Sequence, residues 1–168
     1  MATTGTAPAK EIFPAVFEQK VHLQARVRNG AGWMAAIALF SVINSVLVAS
    51  GANINFIVGL GITRVADEIA QKSGTLGHAA AFVVSMFMAA LFCVFWRVAR
   101  GGQKWAFNAG MVLYAADALI FLAAGMMLNL AFHGFAIYSI YQGLAAANKL
   151  AQLEAAASRS SAAAAGRP

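Results

Sequence analysis

Residues 114–141 read YAADALIFLAAGMMLNLAFHGFAIYSIY, two apolar runs joined by a short turn. Such runs are typical of helices that cross a bilayer, each of which takes roughly 17 to 25 residues. If Gly125 and Met126 form the turn, the two helices run antiparallel and Asp117 lies opposite residue 134. The sequence therefore predicts that Asp117 and His133 lie at nearly the same depth, inside a segment that is otherwise compatible with lipid.

The composition of the whole chain indicates a membrane protein. Of its 168 residues, 61% are hydrophobic and 11% are charged, and the mean hydropathy is +0.70. So few polar side chains cannot cover a water-facing globule of this size. Cys93 is the only cysteine, which excludes an intrachain disulfide and a thiolate metal cluster.

The apolar runs predict an all-α fold, an integral membrane four-helix bundle flanked by amphipathic interfacial helices. A transmembrane domain over 33–147 is expected to contain four spans, at about 33–50, 78–96, 105–124 and 128–147.

The flanking segments carry helical patterns of their own. The stretch 11–28 is predicted to be an amphipathic helix on the cytoplasmic surface, ended by the Asn29-Gly30-Ala31-Gly32 turn. A second amphipathic helix is expected on the outer face over about 56–72, although residues 53–61 could form a re-entrant piece instead. Residues 1–10 are predicted to be disordered, and the tail 148–168 to begin as a helix and end in disorder.

The basic residues predict the topology. Of the 12 Lys and Arg residues, only Arg64 and Lys72 lie outside the two terminal segments and the loop 97–104. This asymmetry predicts that both termini are cytoplasmic. The expected membrane is a plasma membrane of the bacterial type. The net charge of +6 is therefore not taken as a sign of nucleic-acid binding, because these residues flank spans and meet lipid headgroups. The expected partners are the bilayer and either further copies of the chain or other membrane subunits.

Polar residues inside the spans are the candidate site. Leaving an Asp charged in hydrocarbon costs on the order of 2.5 to 3.5 kcal/mol or more, so Asp117 must face protein or water. Three other polar side chains lie at a depth similar to that of Asp117, and together the four are predicted to form a proton or ion site. Further polar residues lie closer to the cytoplasm or toward the outer face. The candidates are Asp117, His133, Asn44 and Ser45 in the layer, Tyr114, Tyr138, Asn108 and Gln142 as secondary positions, and Arg64, Asp67 and Glu68 as an outer mouth.

Three classes of function remain open, and conduction or coupled transport is the preferred hypothesis. The polar layer could conduct or couple transport of a proton, ion or small solute, which would require self-association and a water-accessible path. It could instead hold helices together in a non-catalytic accessory subunit, in which case the polar groups would be sealed and fully paired. Acid/base catalysis by Asp117 and His133 ranks third, because no nucleophile, metal or cofactor motif accompanies them, and no cofactor is expected.

Overall fold

The computed structural model describes residues 9–50 and 60–165, and the described chain is all-α. Within the helices, the side chains of residues 9–15, 48–49, 64, 66–73, 75 and 164 lie outside the described part. No strand occurs in the ranges described. The helices are α1 (Ala9–Ala49), α2 (Gly61–Ala99), α3 (Lys104–Ala123) and α4 (Met127–Ala165).

Three segments of the described helices are long and apolar enough to cross a membrane. They are Val16–Leu47 in α1, Leu76–Ala99 in α2 and Lys104–Ala123 in α3. Large apolar side chains such as Val112 and Phe87 are exposed on these helices, as expected of surfaces that face lipid. These three helices indicate a membrane protein. The fourth predicted span, 128–147, lies within α4 and is not among these three segments.

The helices pack side by side around a common core. α1 contacts α2 and α4, and α3 contacts the same two helices. Large buried side chains from all of them meet at the centre, including Met34, Phe92, Tyr114 and Ile140. α1 and α4 approach most closely where Gly30 faces Gly143, since a Cβ atom built on Gly30 would lie 2.5 Å from the Gly143 Cα.

α1 is one continuous helix of 41 residues, so the turn expected at Asn29-Gly30-Ala31-Gly32 is wrong. Buried positions continue through this stretch in one helical stripe, from Leu23 and Val27 to Ala31 and Met34. Gly30 serves the close crossing with α4 rather than a helix end. At 1.5 Å per residue α1 is about 60 Å long, roughly twice the hydrocarbon thickness of a bilayer.

The region predicted to be a separate outer helix, 56–72, belongs in part to α2. Residues 51–59 lie outside the described chain, and α2 runs from Gly61 through a break at Gly74, where φ is 67° and ψ is −157°. Only glycine adopts such a conformation without strain. The helix over 61–73 therefore joins the second predicted span directly.

The C-terminal tail is helical further than expected. α4 continues to Ala165, so the disorder predicted for the last ten or so residues is wrong for all but 166–168, which lie outside the described chain. Alanine has the highest helix propensity, and the tail is rich in it. Serine hydroxyls at 158, 160 and 161 donate to backbone carbonyls three residues earlier, which accommodates serine within the helix.

Candidate functional site

The start of α2 lies inside the helix assembly rather than at its edge. The Leu60 N–H donates to Ser41 Oγ at 3.3 Å, and Ser41 is eight residues before the end of α1 at Ala49. Eight residues correspond to about 12 Å along a helix. Leu60 is 1% exposed, so α2 begins well below the end of α1 and not level with it.

Three consecutive backbone N–H groups at this point are received by side chains from other helices. Beyond the Leu60 bond, Gly61 donates to Asp117 Oδ2 at 2.6 Å and Ile62 donates to Asp117 Oδ1 at 2.8 Å. The first N–H groups of any helix lack partners within that helix. The Asp117 carboxylate from α3 supplies them here, and its negative charge suits the positive end of the helix dipole.

His133 on α4 completes the cluster. Its Nε2 atom lies 3.1 Å from Asp117 Oδ2, and its Nδ1 atom lies 2.8 Å from the Asn129 carbonyl oxygen. His133 is 0% exposed and Asp117 is 5% exposed. We call the set of Ser41, the N–H groups of Leu60 to Ile62, Asp117 and His133 the clasp, because it joins all four described helices.

The hydrogen-bond geometry fixes where one proton sits. A carbonyl oxygen can only accept, so the His133 Nδ1 facing the Asn129 carbonyl carries a hydrogen. The Nε2 contact with Asp117 then needs a second proton, either on the imidazole as an ion pair or on the carboxyl group as a neutral pair. In both arrangements one proton lies between Nε2 and Oδ2.

Aromatic rings cover both sides of the His133 imidazole. The Tyr114 ring stacks on it with centroids 4.1 Å apart and planes 14° apart, and the Phe121 ring is tilted at a centroid distance of 4.8 Å. Tyr114 is fully buried, and its hydroxyl has no hydrogen-bond partner among the described residues. The ring therefore contributes packing to the clasp rather than a hydrogen bond.

The structure brings together only some of the predicted layer. Asp117 and His133 are in contact, whereas Ser45 is buried and its hydroxyl has no partner within the described part of the chain. Asn44 is half-buried and interacts with another group. Ser41, one helical turn before Ser45, reaches the clasp from α1.

Of the secondary candidates, Tyr114 packs in the clasp against His133. Among the described residues, Tyr138, Asn108 and Gln142 make no hydrogen bond with the clasp. Tyr138 is exposed, and its hydroxyl accepts a hydrogen bond from the Gln142 amide. The Gln142 carbonyl oxygen accepts from the Arg26 guanidinium. Arg26, Gln142 and Tyr138 thus form a hydrogen-bonded chain on α1 and α4. Asn108 has an exposed side chain on α3.

The predicted outer mouth falls outside the described side chains. Arg64, Asp67 and Glu68 have backbone positions within α2, and nothing about their side chains is described.

Sequence reasoning missed two parts of the clasp. Ser41 resembles any serine within a helix, where its hydroxyl commonly donates to the carbonyl four residues earlier, as it does here to Ile37 at 2.8 Å. The donors of Leu60, Gly61 and Ile62 are backbone groups and leave no side-chain signal. Gly61 is the one signal in the sequence, because glycine often marks a close approach between two parts of a chain. A Cβ atom at this position would lie 2.8 Å from Phe121 Cε2.

Comparisons with protein-family models, with curated proteins and with solved structures find no match to this chain.

Proposed function

We propose that this protein is a four-span membrane protein with a structural, non-catalytic role, as an accessory subunit or self-associating scaffold. The observation that carries this proposal is that both side-chain oxygens of Asp117 have hydrogen-bond partners. Its two oxygens receive two backbone N–H groups and the His133 imidazole, and only 5% of the residue is exposed. A polar cluster that is sealed and paired in this way stabilises helix packing.

The same cluster explains why an acid lies at this depth. α2 begins inside the helix assembly, where Leu60 is buried, and its first turn brings N–H groups that have no partner within the helix. An unpaired backbone donor in hydrocarbon costs several kcal/mol. Asp117 removes that cost for Gly61 and Ile62, and His133 Nε2 forms a further hydrogen bond with the same carboxyl group.

The proposed topology includes α4 as a fourth span. The segment 128–147 packs against α1 and α3, and its polar members Asn129 and His133 are buried against protein instead of lipid. Burial allows a less apolar helix to cross, because those side chains never meet the hydrocarbon. Both termini are then on the cytoplasmic side, where most Lys and Arg residues lie.

A second candidate function is proton coupling, and it rests on the single proton between His133 Nε2 and Asp117 Oδ2. Such a proton can be exchanged if the clasp opens toward water. Residues 51–59 precede the clasp in the chain and lie outside the described part.

Reconstitution into liposomes separates the two candidates. The wild-type protein and the Asp117→Asn and His133→Gln variants would be tested for proton flux with an internal pH-sensitive dye, and for thermal stability and oligomeric state in detergent. The structural role predicts no flux above empty liposomes and lowered stability in both variants. Flux in the wild type that disappears in a stably folded Asp117→Asn protein would contradict the structural role and establish coupling.

The topology has its own test. In a Cys93→Ser background, a Ser158→Cys substitution places a single thiol on the exposed end of α4. A membrane-impermeant maleimide is expected to label it in inside-out vesicles but not in intact cells. Labelling in intact cells would place the C-terminus outside and overturn the four-span proposal.

A further inference from the structure

A cavity of about 310 Å³ lies at the end of the molecule where α2 turns into α3. Its walls are one face of α1 and one face of α4, and its floor is the turn at 100–102. Three charged side chains line it, Arg28 from α1, Arg100 from the turn and Glu154 from α4. The site is about as large as the smaller ligand pockets of proteins.

Within the described part of the chain, none of these three charged groups has an ion-pair partner. Among the described side chains, the only carboxylate within ion-pair distance of a basic group is that of Asp117, which faces His133. Arg28, Arg100 and Glu154 are all exposed. The cavity therefore offers two guanidinium groups and one carboxylate to a ligand.

The cavity lies at the level of lipid headgroups. The apolar segments Leu76–Ala99 and Lys104–Ala123 end on either side of the turn, and Trp96 and Trp105 flank it, as tryptophans do at a membrane interface. The Arg100 guanidinium lies 5.7 Å from the centre of the Trp96 ring. A phospholipid of this leaflet can thus reach the cavity with its acyl chains still in the hydrocarbon.

We propose that this cavity binds the headgroup of a phospholipid that carries a phosphodiester and a primary ammonium group. Arg28 and Arg100 bind the phosphate, because guanidinium groups match phosphate oxygens in geometry and charge. Glu154 accepts hydrogen bonds from the ammonium. It lies seven residues beyond Ala147, another lining residue, about 10 Å further from the membrane along α4.

The residues that line the cavity favour a primary ammonium headgroup over a headgroup with phosphate alone and over one with a quaternary ammonium. A headgroup with phosphate alone leaves Glu154 unpaired and close to a second negative charge, which is unfavourable. A quaternary ammonium has no N–H to donate and is typically held by aromatic rings, and the lining of this cavity contains none. Val27 and Leu150 supply an apolar wall for the ethylene and glycerol carbons.

Native mass spectrometry of the full chain in detergent tests the assignment. The protein would be mixed with equal amounts of three lipids that share acyl chains and differ in headgroup, phosphoethanolamine, phosphocholine and phosphoglycerol. The ethanolamine lipid is expected to be retained most. Arg28→Gln and Arg100→Gln should each lower its retention about tenfold, the effect of losing one charge-assisted hydrogen bond.

Glu154→Gln should instead change the selectivity, so that the phosphoglycerol lipid is retained as well as the ethanolamine lipid. Arg97→Gln and Glu18→Gln are matched controls, because both residues are exposed and neither lines the cavity. Circular dichroism checks that each variant keeps its helix content. The proposal does not depend on the role of the clasp.

Three results would overturn it. The first is equal retention of all three lipids by the wild type. The second is a loss in Arg28→Gln and Arg100→Gln no larger than in Arg97→Gln. The third is binding of soluble phosphoethanolamine as tight as that of the lipid, which would identify a water-soluble phosphate compound as the ligand.

Discussion

The Asp117 Oδ2 atom lies 3.1 Å from His133 Nε2 on α4 and also accepts the Gly61 N–H of α2 at 2.6 Å. One carboxylate oxygen thus serves two helices, while its partner Oδ1 receives the Ile62 N–H. Asp117 of α3 is therefore hydrogen-bonded to both α2 and α4. Its two oxygens accept the first N–H groups of α2.

Replacing Asp117 by Ala should destabilise the protein by about 3 to 5 kcal/mol, the usual cost of breaking a buried pair from one side. The substitution leaves the Gly61 and Ile62 N–H groups without an acceptor and the His133 Nε2 atom without its hydrogen-bond partner. Asp117→Asn keeps one acceptor oxygen and should cost about 1 to 3 kcal/mol. Equilibrium unfolding in mixed micelles measures both values. Asn108→Ala on the exposed face of α3 is the control and should change stability by less than about 0.5 kcal/mol.

His133 should carry a hydrogen on Nδ1 in every protonation state of the clasp, because this atom faces the Asn129 carbonyl at 2.8 Å. Solvated histidines ordinarily distribute the hydrogen between both ring nitrogens. The ¹⁵N chemical shifts of labelled histidine report this directly, and the exposed side chains of His22 and His78 provide internal references. A His133 ring with unprotonated Nδ1 would show that the orientation of the imidazole described here is wrong.

The antiparallel turn between α3 and α4 makes it possible to predict from the sequence that Asp117 and His133 lie at similar depth. The turn residue Gly125 has φ of 69°, a conformation that favours glycine and marks the helix end. Once the turn is located, helix geometry sets the depth of both residues without any knowledge of the remaining helices.

Other features depended on contacts that sequence patterns do not encode. Glycine is common at helix ends, which favours a helix stop at Gly30 on sequence grounds. Its neighbour across the interface, Gly143, shows that Gly30 lies where α1 and α4 cross. The start of α2 was equally hidden. Its backbone donors are identical to those of any segment, and only the arrival of Ser41 and Asp117 beside them makes this position special.

Tyr114→Phe should leave stability unchanged or raise it by up to about 1 kcal/mol. The Tyr114 hydroxyl is buried without a partner among the described residues, and burying such a group is unfavourable. The phenyl ring keeps the stacking contact with His133. Thermal unfolding in detergent gives the comparison, with Tyr141→Phe at an exposed position as the control. A clear loss of stability would reveal a polar partner for the hydroxyl.

The glycine crossing gives a matched pair of substitutions between α1 and α4. Gly30→Ala should destabilise the protein by about 1 to 3 kcal/mol, because its Cβ would lie 2.5 Å from the backbone of Gly143 and a backbone atom cannot turn aside. Gly134→Ala on α4 meets nothing within 4 Å and should be neutral or stabilise by up to about 1 kcal/mol through helix propensity.

Equilibrium unfolding of the two variants under identical micelle conditions decides the prediction. Because both replace a helical glycine by alanine, their propensity terms are similar, and the difference isolates the cost of the crossing. Equal stability of the two proteins would mean that α1 and α4 are further apart than the structure places them.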